Sequence, residues 1–529
     1  MPRLVHEIVF ESSERYPNKQ AVICDGYALS YKELSGRVCG LSQLLLDAGL
    51  EKGDRVLILL RNKADLLVSC YASMAAGGIA VPLPEGSAPA TLANILRESG
   101  ARIVLTSEEE LSEYRDVNVH LQAIVVLMNH NTDKLSSTPD YVVFDERIIL
   151  NNSVTLRKRC SEDDGALILY TSGATGAKKG VLLSHRNLLQ ASLNINEFMQ
   201  IDNQIREFIS VPLSHSFGFA RSRCIFMAGG TLVVRNGMLN PVTMAHTIAN
   251  ERCNALSAVP SGLTMFFGRF DFLLSDIGPQ IRFIELGSVP LCIDHKRKLV
   301  ALFPNARICM HYGLTEASRS TFLEFHREAD KLESAGKPSP HTEIGIVDEG
   351  GSFLREGRSG EIVVKGRHVA IGYWKNPTLT EERFLRNGWF RTGDYGFLDN
   401  DGYLYLLGRK DDMINMSGIK ISPLEIEQVL LAKLPDFDCC VVGFPDPSGV
   451  AGEIPVLCYV SPTGVSLREH DVVQLLSNEI DKFRIPRLVV QFDSLPKTEN
   501  HKPKRKEIRK LLIERYGRKA IEELSVNEG

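Results

Sequence analysis

A glycine-rich stretch, "TSGATGAKKG", occupies residues 171–180 and directly follows the apolar run "GALILY". Its polar side chains include the hydroxyls of Thr171, Ser172 and Thr175 and the ammonium of Lys179. Glycine lets a backbone come close to a phosphate, hydroxyl and N–H groups donate hydrogen bonds, and a lysine adds a point charge. The stretch does not fit the P-loop pattern G-x-x-x-x-G-K-[ST]. On these residues alone it is either a polyphosphate-binding loop or a surface turn.

Three further segments carry residue types that can act on a nucleotide. The segment "HYGLTEASRS" (311–320) joins an aromatic ring, a glycine and a carboxylate, and "WFRTGDYGFLDNDGYLYLLGRKDD" (389–412) contains Asp394 and Arg409. The segment "LPKTENHKPKRKEI" (495–508) is a lysine cluster. A carboxylate accepts hydrogen bonds from two neighbouring hydroxyls, and carboxylate and phosphate oxygens suit Mg²⁺. Each motif alone is common, but all four occur here, in order, across most of the chain.

With these segments in this order, the sequence resembles the AMP-forming acyl-activating superfamily of acyl- and aryl-CoA synthetases, peptide-synthetase adenylation domains and beetle luciferases. The resemblance begins at "LSYKEL" (29–34), includes "AGGIAVPL" (76–83) and extends to Lys502. It implies that a carboxylic acid reacts with ATP to give an acyl adenylate and pyrophosphate. The acyl group then passes to a thiol.

The resemblance also implies roles for the nucleotide-facing residues. The loop binds the β- and γ-phosphates through Thr171, Ser172, Gly173, Thr175, Gly176 and Lys179. Thr315 contacts the α-phosphate, and Glu316 holds Mg²⁺. The residues implied for adenine and ribose are Tyr312, Gly313, Asp394 and Arg409. Within the loop, Ala174 and Lys178 depart from the hydroxyl residue and the proline that are usual in the family.

Lys502 matches the catalytic lysine of the family, which stabilises the charge that develops at the α-phosphate. The surrounding "PKTENHKPKR" departs from the usual pattern, because His501 replaces a glycine and Pro503 replaces an apolar residue. Lys497 and Lys504 remain alternative candidates for the same role.

The family's C-terminal domain rotates between the two half-reactions, about a hinge of a few residues. Asp411 stands at the hinge position, and Gly418 lies in the segment that faces the pantetheine arm of the thiol substrate. Asn415 stands where a lysine is common in the family.

The resemblance places the acyl pocket around His215, Phe219, Val259, Gly287 and Ser288, with His215 beside the substrate carboxylate. For His215 a structural role in the core is the alternative. Small residues around Val259, Gly287 and Ser288 leave room for an aryl ring or an alkyl chain, and the sequence does not choose between them.

The segment "VPLSHSFGFARS" (211–222) has no aspartate where family members that activate α-amino acids usually carry one. Burying the ammonium of such a substrate without a carboxylate is costly, so we expect a different acid. Arg221 and Arg223 lie in an otherwise apolar stretch. They either touch an acidic or phenolic substrate or form structural ion pairs or face solvent.

Short apolar runs alternate with helical patterns through the first 410 residues, which predicts a layered α/β fold rich in parallel sheet. Strand and turn patterns over about 337–410 predict a small β-rich subdomain, giving an N-terminal domain of residues 1–410. Residues 411–529 are expected to form a small, mobile α+β domain. Ser184 and Ser422 are predicted to cap helices.

Composition limits the other functions. The 529 residues carry a formal net charge of −4, which argues against a broad basic surface for nucleic acid. Runs such as "RVLILL" are too short to span a bilayer. The eleven scattered cysteines contain no C-x-x-C pair, so free thiols in the cytoplasm are expected and zinc is not.

We therefore expect an acyl- or aryl-CoA ligase that uses ATP, Mg²⁺ and coenzyme A. The alternative is a freestanding ligase that loads the phosphopantetheine arm of an acyl carrier protein. A luciferase-type oxidative enzyme and a nucleotide-binding regulator without catalysis are further alternatives. The basic residues around 504–510 would attract either the 3′-phosphate of coenzyme A or an acidic carrier protein. Which acid is activated and which oligomer forms are not encoded in any recognisable motif.

Overall fold

The structure is a computed structural model. It describes residues 2–84, 86–107, 110, 123–128, 141–145, 160–172, 178–236, 240–289, 291–417, 419–434, 437–446, 451–461, 466–477, 479–486, 488–497 and 503–526. Its helices are α1 (Glu7–Arg15), α2 (Tyr31–Asp47), α3 (Lys63–Ala75), α4 (Pro89–Ser99), α5 (His185–Met199), α6 (Ser216–Ala228), α7 (Pro241–Asn250), α8 (Pro260–Thr264), α9 (Asp271–Ile277), α10 (Ile293–Leu302), α11 (Pro377–Arg383), α12 (Pro423–Lys433), α13 (Glu469–Leu476) and α14 (Arg505–Val526). Short 3₁₀ turns occur at Gly278–Gln280, Ala329–Lys331, Lys410–Asp412 and Lys482–Arg484.

The strands alternate with these helices through the N-terminal part and then become consecutive. They are β1 (Gln20–Cys24), β2 (Tyr27–Ser30), β3 (Arg55–Leu59), β4 (Ile79–Pro82), β5 (Ile103–Ser107), β6 (Ala123–Met128), β7 (Tyr141–Asp145), β8 (Gly165–Ser172), β9 (Lys178–Ser184), β10 (Arg206–Ile209), β11 (Thr231–Val234), β12 (Ala255–Ala258), β13 (Phe283–Leu286), β14 (Arg307–Tyr312), β15 (Thr321–Glu324), β16 (Lys337–Pro338), β17 (Glu343–Val347), β18 (Gly360–Lys365), β19 (Gly372–Tyr373), β20 (Trp389–Leu398), β21 (Leu404–Arg409), β22 (Ile414–Met416), β23 (Ile419–Ile421), β24 (Asp438–Pro445), β25 (Glu453–Val460) and β26 (Leu488–Gln491).

Two large mixed sheets form the N-terminal part. Over the described strands, the first has the order β16-β15-β14-β13-β12-β10-β11-β1-β2, and the second β19-β9-β8-β4-β3-β5-β6-β7. The neighbouring strands β14, β13, β12 and β10 run parallel, as do β4, β3, β5, β6 and β7. Parallel strands are covered on both faces and therefore read as short apolar runs. This explains why the sequence predicted β3, β4, β5 and β6 at the positions where they occur.

The main core lies between helices and both sheets. It joins residues of β1 and β3 with residues of α2, α3, α5 and α6, and it centres on aromatic contacts such as those of Tyr71 with Phe219 and Phe226. Helix α5 begins where predicted, because the Ser184 hydroxyl accepts a hydrogen bond from the Asn187 N–H at 3.1 Å while the Asn187 side chain caps in return. This reciprocal cap fixes the end of β9 against the start of α5.

The predicted β-rich subdomain is present as the antiparallel sheet β17-β18-β20-β21. Beyond it, β22 and β23 form a hairpin, and β24, β25 and β26 form a sheet packed against α12, α13 and α14. Ser422 caps α12 as predicted, with its hydroxyl accepting from the Glu425 N–H at 3.1 Å. The mixed α/β class with a small C-terminal α+β part is therefore confirmed.

All eleven cysteines lie in the described ranges and form no disulfide, as predicted. Helices long and apolar enough to cross a membrane do not occur in the part of the chain that the structure describes.

Candidate active site

The carboxyl ends of four adjacent parallel strands bring the central candidate residues to one edge of the first sheet. Val259 follows β12, Gly287 follows β13, Tyr312 ends β14, and the segment after β10 leads to His215. In open α/β sheets, ligands bind at the carboxyl ends of such strands. The sheet topology therefore gathers residues that are distant in sequence into one candidate site.

Tyr312, Asp394 and Arg409 form a hydrogen-bonded cluster at this edge. The Tyr312 hydroxyl donates to Asp394 Oδ2 at 2.7 Å, and Arg409 Nη1 donates to Asp394 Oδ1 at 2.7 Å. Asp394 and Arg409 are register partners on β20 and β21. Burial, reinforced by the Asp394 carboxylate, raises the pKa of the Tyr312 phenol well above its usual value. The phenol is therefore a neutral donor that orients the carboxylate predicted to hold the ribose.

Gly313 is required by a close approach of the backbone. A β-carbon at this position would lie 2.4 Å from the Arg319 amide nitrogen and 2.9 Å from the Ala317 carbonyl oxygen. Backbone atoms cannot move aside cheaply, so only glycine permits the tight segment after Tyr312. That segment places Thr315 and Glu316 close to the end of β14.

Glu316, Tyr373 and Lys179 lie together next to the glycine-rich loop. The Tyr373 hydroxyl donates to Glu316 Oε1 at 2.7 Å, and Lys179 Nζ lies 5.9 Å from the centroid of the Tyr373 ring. The Ala370 N–H donates to the Glu316 carbonyl oxygen at 2.8 Å, which fixes the backbone at the glutamate. Burial, and then the Glu316 carboxylate, raise the pKa of Tyr373, so this phenol also acts as a neutral donor.

Glu316 fits the magnesium role by its chemistry. It is a largely buried carboxylate with one oxygen held by Tyr373. Within the described ranges, no group of three or more His, Cys, Asp or Glu side chains could hold a metal ion. One or two carboxylates together with substrate phosphates are the usual environment of Mg²⁺.

The glycine-rich loop is anchored at both ends by the β8–β9 hairpin. Thr171 pairs with Lys179 and Ser172 with Lys178. The edge of β9 that faces β19 is also fixed, because the Trp374 N–H donates to the Gly180 carbonyl oxygen at 2.7 Å. The predicted phosphate contacts Gly173, Thr175 and Gly176 lie outside the described residues.

His215 stands at the N-cap of α6, and its carbonyl oxygen accepts from the Phe219 N–H at 3.0 Å. Phe219 is fully buried on α6, with its ring centroid 5.8 Å from that of Tyr71 and the Arg223 guanidinium 4.9 Å from its own centroid. His215 thus lies at the candidate site, and Phe219 packs in the core immediately behind it.

The His311 ring lies against Gly287, the first of the two predicted pocket-wall residues that follow β13. A β-carbon on Gly287 would lie 2.1 Å from His311 Cε1, so the imidazole covers this position. Ser288 follows with a φ of 77°, a left-handed conformation that is uncommon for a residue other than glycine. Such conformations cluster at functional sites, which supports the predicted location of the pocket wall.

A buried ion network that no sequence motif predicted lies beneath this wall. Arg221 binds Glu207 with two nitrogens, one of them at 2.8 Å, and its Nη1 lies 3.1 Å from Glu285 Oε2. Arg319 Nε donates to Glu285 Oε1 at 3.0 Å, and His311 Nδ1 lies 2.8 Å from the same oxygen. For Arg221 the structural ion-pair interpretation is confirmed. The sequence does carry a signal for this network, because Glu207 in "REFI" and Glu285 in "FIEL" are acidic residues within short apolar strands.

The hinge candidate Asp411 lies in a 3₁₀ turn between β21 and β22, and the preceding Lys410 binds Glu361 at 3.0 Å. Lys502 and Gly418 lie outside the described residues. The alternative lysines lie in partly exposed ion pairs: Lys497 binds Asp438 at 2.7 Å, and Lys504 lies 3.4 Å from Glu507.

Two family models match the chain. The model described as AMP-binding enzyme matches residues 9–374, and the model of the AMP-binding enzyme C-terminal domain matches residues 425–502. A feruloyl-CoA synthase from an Amycolatopsis species is 29% identical over 93% of this chain and 96% of its own. The peroxisomal OPC-8:0-CoA ligase 1 of Arabidopsis thaliana is 27% identical over 95% of this chain and 92% of its own.

Solved structures of related enzymes match nearly all of the chain. ATP-bound MatB from Rhodopseudomonas palustris superposes with a TM-score of 0.83 at 26% identity, covering 98% of this chain and 100% of that one. The o-succinylbenzoate CoA synthetase of Bacillus subtilis, in complex with its acyl-adenylate intermediate, gives a TM-score of 0.79 at 25% identity, covering 96% and 98%.

Proposed function

The chain belongs to the AMP-binding enzyme family, and from that premise we propose that it is an AMP-forming acid–thiol ligase with coenzyme A as acceptor. The observation that carries the proposal is the convergence of Tyr312, Asp394 and Arg409 with Glu316 at the carboxyl edge of the first sheet. The named relatives are CoA ligases and synthases of carboxylic acids, which favours coenzyme A over a carrier protein.

Asp394 and Arg409 would bind the ribose, with the carboxylate accepting bonds from the hydroxyls. Tyr312 would pack on adenine, with Gly313 beside it. Thr315 would contact the α-phosphate, and Lys179 with Thr171 would meet the outer phosphates. Glu316 would hold Mg²⁺, which supplies positive charge to the phosphate oxygens.

In the first half-reaction, an oxygen of the acid carboxylate attacks the α-phosphorus and the bond to pyrophosphate breaks. His215, at the N-cap of α6, would orient that carboxylate. Lys502 would stabilise the negative charge that builds up between the two anions, an effect that operates only in the transition state.

In the second half-reaction, the thiolate of coenzyme A attacks the acyl carbon and AMP leaves. A rotation at Asp411, at the proposed boundary between domains of residues 1–410 and 411–529, would withdraw Lys502. It would also bring the segment around Gly418 to the pantetheine arm. The ion pair of Lys410 with Glu361 is a contact that such a rotation has to accommodate.

The test measures the two half-reactions separately. Lys502→Ala should abolish acid-dependent exchange of pyrophosphate into ATP and largely spare thioester formation from supplied acyl adenylate. Lys497→Ala and Lys504→Ala are matched controls and should retain both activities. Equal loss of both activities in Lys502→Ala would contradict the assigned role.

A panel of carboxylic acids in the exchange assay, repeated with and without coenzyme A, tests the function itself. AMP release that depends on both acid and coenzyme A is expected. Exchange with an acid but no transfer to coenzyme A would indicate a carrier protein as acceptor. The absence of exchange with every acid would contradict the adenylation function.

A further inference from the structure

Two rings meet where the first turn of α6 faces the end of β14. Phe217 on α6 and His311 on β14 have ring centroids 4.8 Å apart and an interplanar angle of 87°. Phe217 is 5% exposed, and the His311 side chain is 7% exposed. An edge-to-face contact at this distance is favourable, so the two rings form one closed surface, which we call the ring pair.

The ring pair reaches Gly287, a residue predicted to line the acyl pocket. A β-carbon on Gly287 would lie 2.1 Å from His311 Cε1 and 2.2 Å from His311 Nε2. The imidazole therefore occupies the volume directly in front of Gly287. The room that a small residue leaves at this position is taken up by His311 and is not free for an aryl ring or an alkyl chain.

Buried charged groups hold both rings in place. His311 Nδ1 lies 2.8 Å from Glu285 Oε1, and Glu285 is fully buried. The Arg319 guanidinium lies 4.7 Å from the centroid of Phe217, and its Nη2 donates to the Phe217 carbonyl oxygen at 3.1 Å. Arg319 Nε also donates to Glu285 Oε1 at 3.0 Å, so one carboxylate supports both rings. Turning His311 aside would break a contact with a buried charge, which is costly.

The ring pair also lies next to the proposed reaction centre. Phe217 is the second residue after His215, which is proposed to orient the reacting carboxylate. His311 directly precedes Tyr312, which is proposed to pack on adenine. The acyl chain therefore has to extend from the start of α6 toward Gly287, and two packed side chains of this protein join these positions.

We propose that the ring pair closes the acyl pocket a short distance from the reacting carboxylate, which restricts the substrate to short aliphatic acids and makes His311 a specificity-determining residue. This inference rests on the proposed function, which places the acid between His215 and Gly287. A longer chain or an aryl ring would have to displace His311 or Phe217. Closely packed buried side chains do not move aside without strain.

A panel of acids in the pyrophosphate-exchange assay tests the size limit: ethanoate, propanoate, butanoate, hexanoate, octanoate, benzoate and cinnamate. One of the three shortest acids should have the highest kcat/KM. Its value should exceed those for octanoate, benzoate and cinnamate by about 100-fold or more, since a misfit of one methylene alone is worth roughly 10-fold to 200-fold.

His311→Ala and Phe217→Ala should open the pocket. Both variants should gain about 10-fold or more in kcat/KM for octanoate and cinnamate, mainly through a lower KM, and should lose activity with the best short acid, which then fits loosely. Phe217→Leu, a milder change, should give a smaller gain in the same direction. A protein that is only destabilised does not acquire new substrates, so this gain separates specificity from a structural role.

Phe303→Ala is the matched control, because the Phe303 ring is also buried but belongs to a separate core cluster with residues of α7 and α10. This variant should lower the melting temperature, as the ring-pair variants do, because each substitution leaves a cavity. It should show no gain with the larger acids.

Two outcomes would overturn the inference. They are octanoate or cinnamate used by the natural protein as well as the short acids, and no gain with larger acids in those ring-pair variants that fold. Either outcome would leave the ligase function intact. Absence of exchange with every acid would contradict both that function and the size limit. If both alanine variants fail to fold, Phe217→Leu and the panel on the natural protein still decide between these outcomes.

Discussion

Two groups of arginine–carboxylate contacts lie near the same edge of the first sheet, and they differ in their access to water. In the nucleotide-side pair, Arg409 binds Asp394 with 48% of the arginine side chain exposed. In the buried network, Arg221 and Glu207 have no exposed surface. The same residue types therefore serve different purposes, because water sets the cost of separating them.

Arg409 is half exposed, whereas the Asp394 side chain is 12% exposed and also accepts from the Tyr312 hydroxyl. When Arg409 turns to a ligand, water solvates the arginine and Tyr312 still donates to Asp394, so the net loss is small. Water cannot replace a lost partner of Glu285, because this carboxylate is fully buried among Arg221, Arg319 and His311. Removal of one member there leaves an unpaired charge. We infer that the exposed pair is suited to binding and the buried one to fixing the pocket wall.

The strongest test of this contrast is Glu285→Gln. The substitution keeps the shape of the side chain but leaves two buried arginines short of negative charge, and we expect a loss of about 3–5 kcal/mol in the free energy of unfolding. Urea denaturation followed by circular dichroism measures it. Asp202→Asn, at the exposed partner of Arg282, is the control and should change stability by less than about 1 kcal/mol. Similar losses in both variants would remove the distinction between buried and exposed pairs.

The Glu285 carboxylate should also make the free energy of unfolding depend on pH. The change with pH should be smaller than the full loss in Glu285→Gln. Burial opposes ionisation of Glu285, but Arg319, Arg221 and His311 outweigh it and hold its pKa well below the usual value. A group with a lowered folded-state pKa stabilises fully above its unfolded pKa, about 4.3 for glutamate, and loses that contribution as the pH falls further. Between about pH 5 and pH 3, the natural protein should therefore lose more stability than Glu285→Gln. Equal slopes would show that Glu285 does not carry this dependence.

In the nucleotide-side pair, Asp394→Asn should affect binding more than folding. The variant loses the charge of a carboxylate that is predicted to accept hydrogen bonds from the ribose hydroxyls. This loss should weaken the binding free energy of ATP by about 1.5–3 kcal/mol. The KM for ATP should rise by roughly 10-fold to 150-fold, while the urea midpoint changes little. A large drop in the midpoint with an unchanged KM would mean that Asp394 is structural.

The smallest expected effect is that of Tyr373→Phe. Glu316 loses a hydrogen bond that the neutral phenol donates to its carboxylate; because Tyr373 only orients the metal ligand, we expect about 1 kcal/mol of this loss to appear in Mg²⁺ binding. The Mg²⁺ concentration for half-maximal pyrophosphate exchange should rise by about 5-fold. Tyr395→Phe, whose hydroxyl donates to the Ser359 carbonyl at 3.2 Å in the β-rich subdomain, is the control. An unchanged Mg²⁺ requirement would argue against Glu316 as the metal ligand.

The sequence predicted the parts of the molecule that depend on local patterns. Apolar runs located β3 to β6, and Ser184 and Ser422 located the starts of α5 and α12, because a strand face or a helix cap is decided within a few residues. The motifs also predicted that Asp394 and Arg409 act together, and the antiparallel register of β20 and β21 places them side by side. Their roles in ATP binding stay predictions.

The buried network could not be predicted in the same way. Glu207 and Glu285 lie on different strands, and Arg221 and Arg319 are almost a hundred positions apart, so only the sheet order brings them together. Arg223 neither faces solvent nor forms an ion pair among the described residues: it is 2% exposed, and its Nε donates to the Ser192 hydroxyl at 3.2 Å. Its environment is set by Phe219 and Ser192, which belong to two different helices.

The closed network also bears on how this enzyme can change over evolutionary time. Glu207, Glu285, Arg221 and Arg319 depend on one another, so a single substitution at any of them passes through an unstable intermediate, and only a coupled exchange restores charge balance. Arg223 has no such dependence, and its replacement by an apolar residue would relieve a charge instead of stranding one. The network therefore resists change one residue at a time, whereas positions outside it can vary while the scaffold beneath the pocket stays as it is.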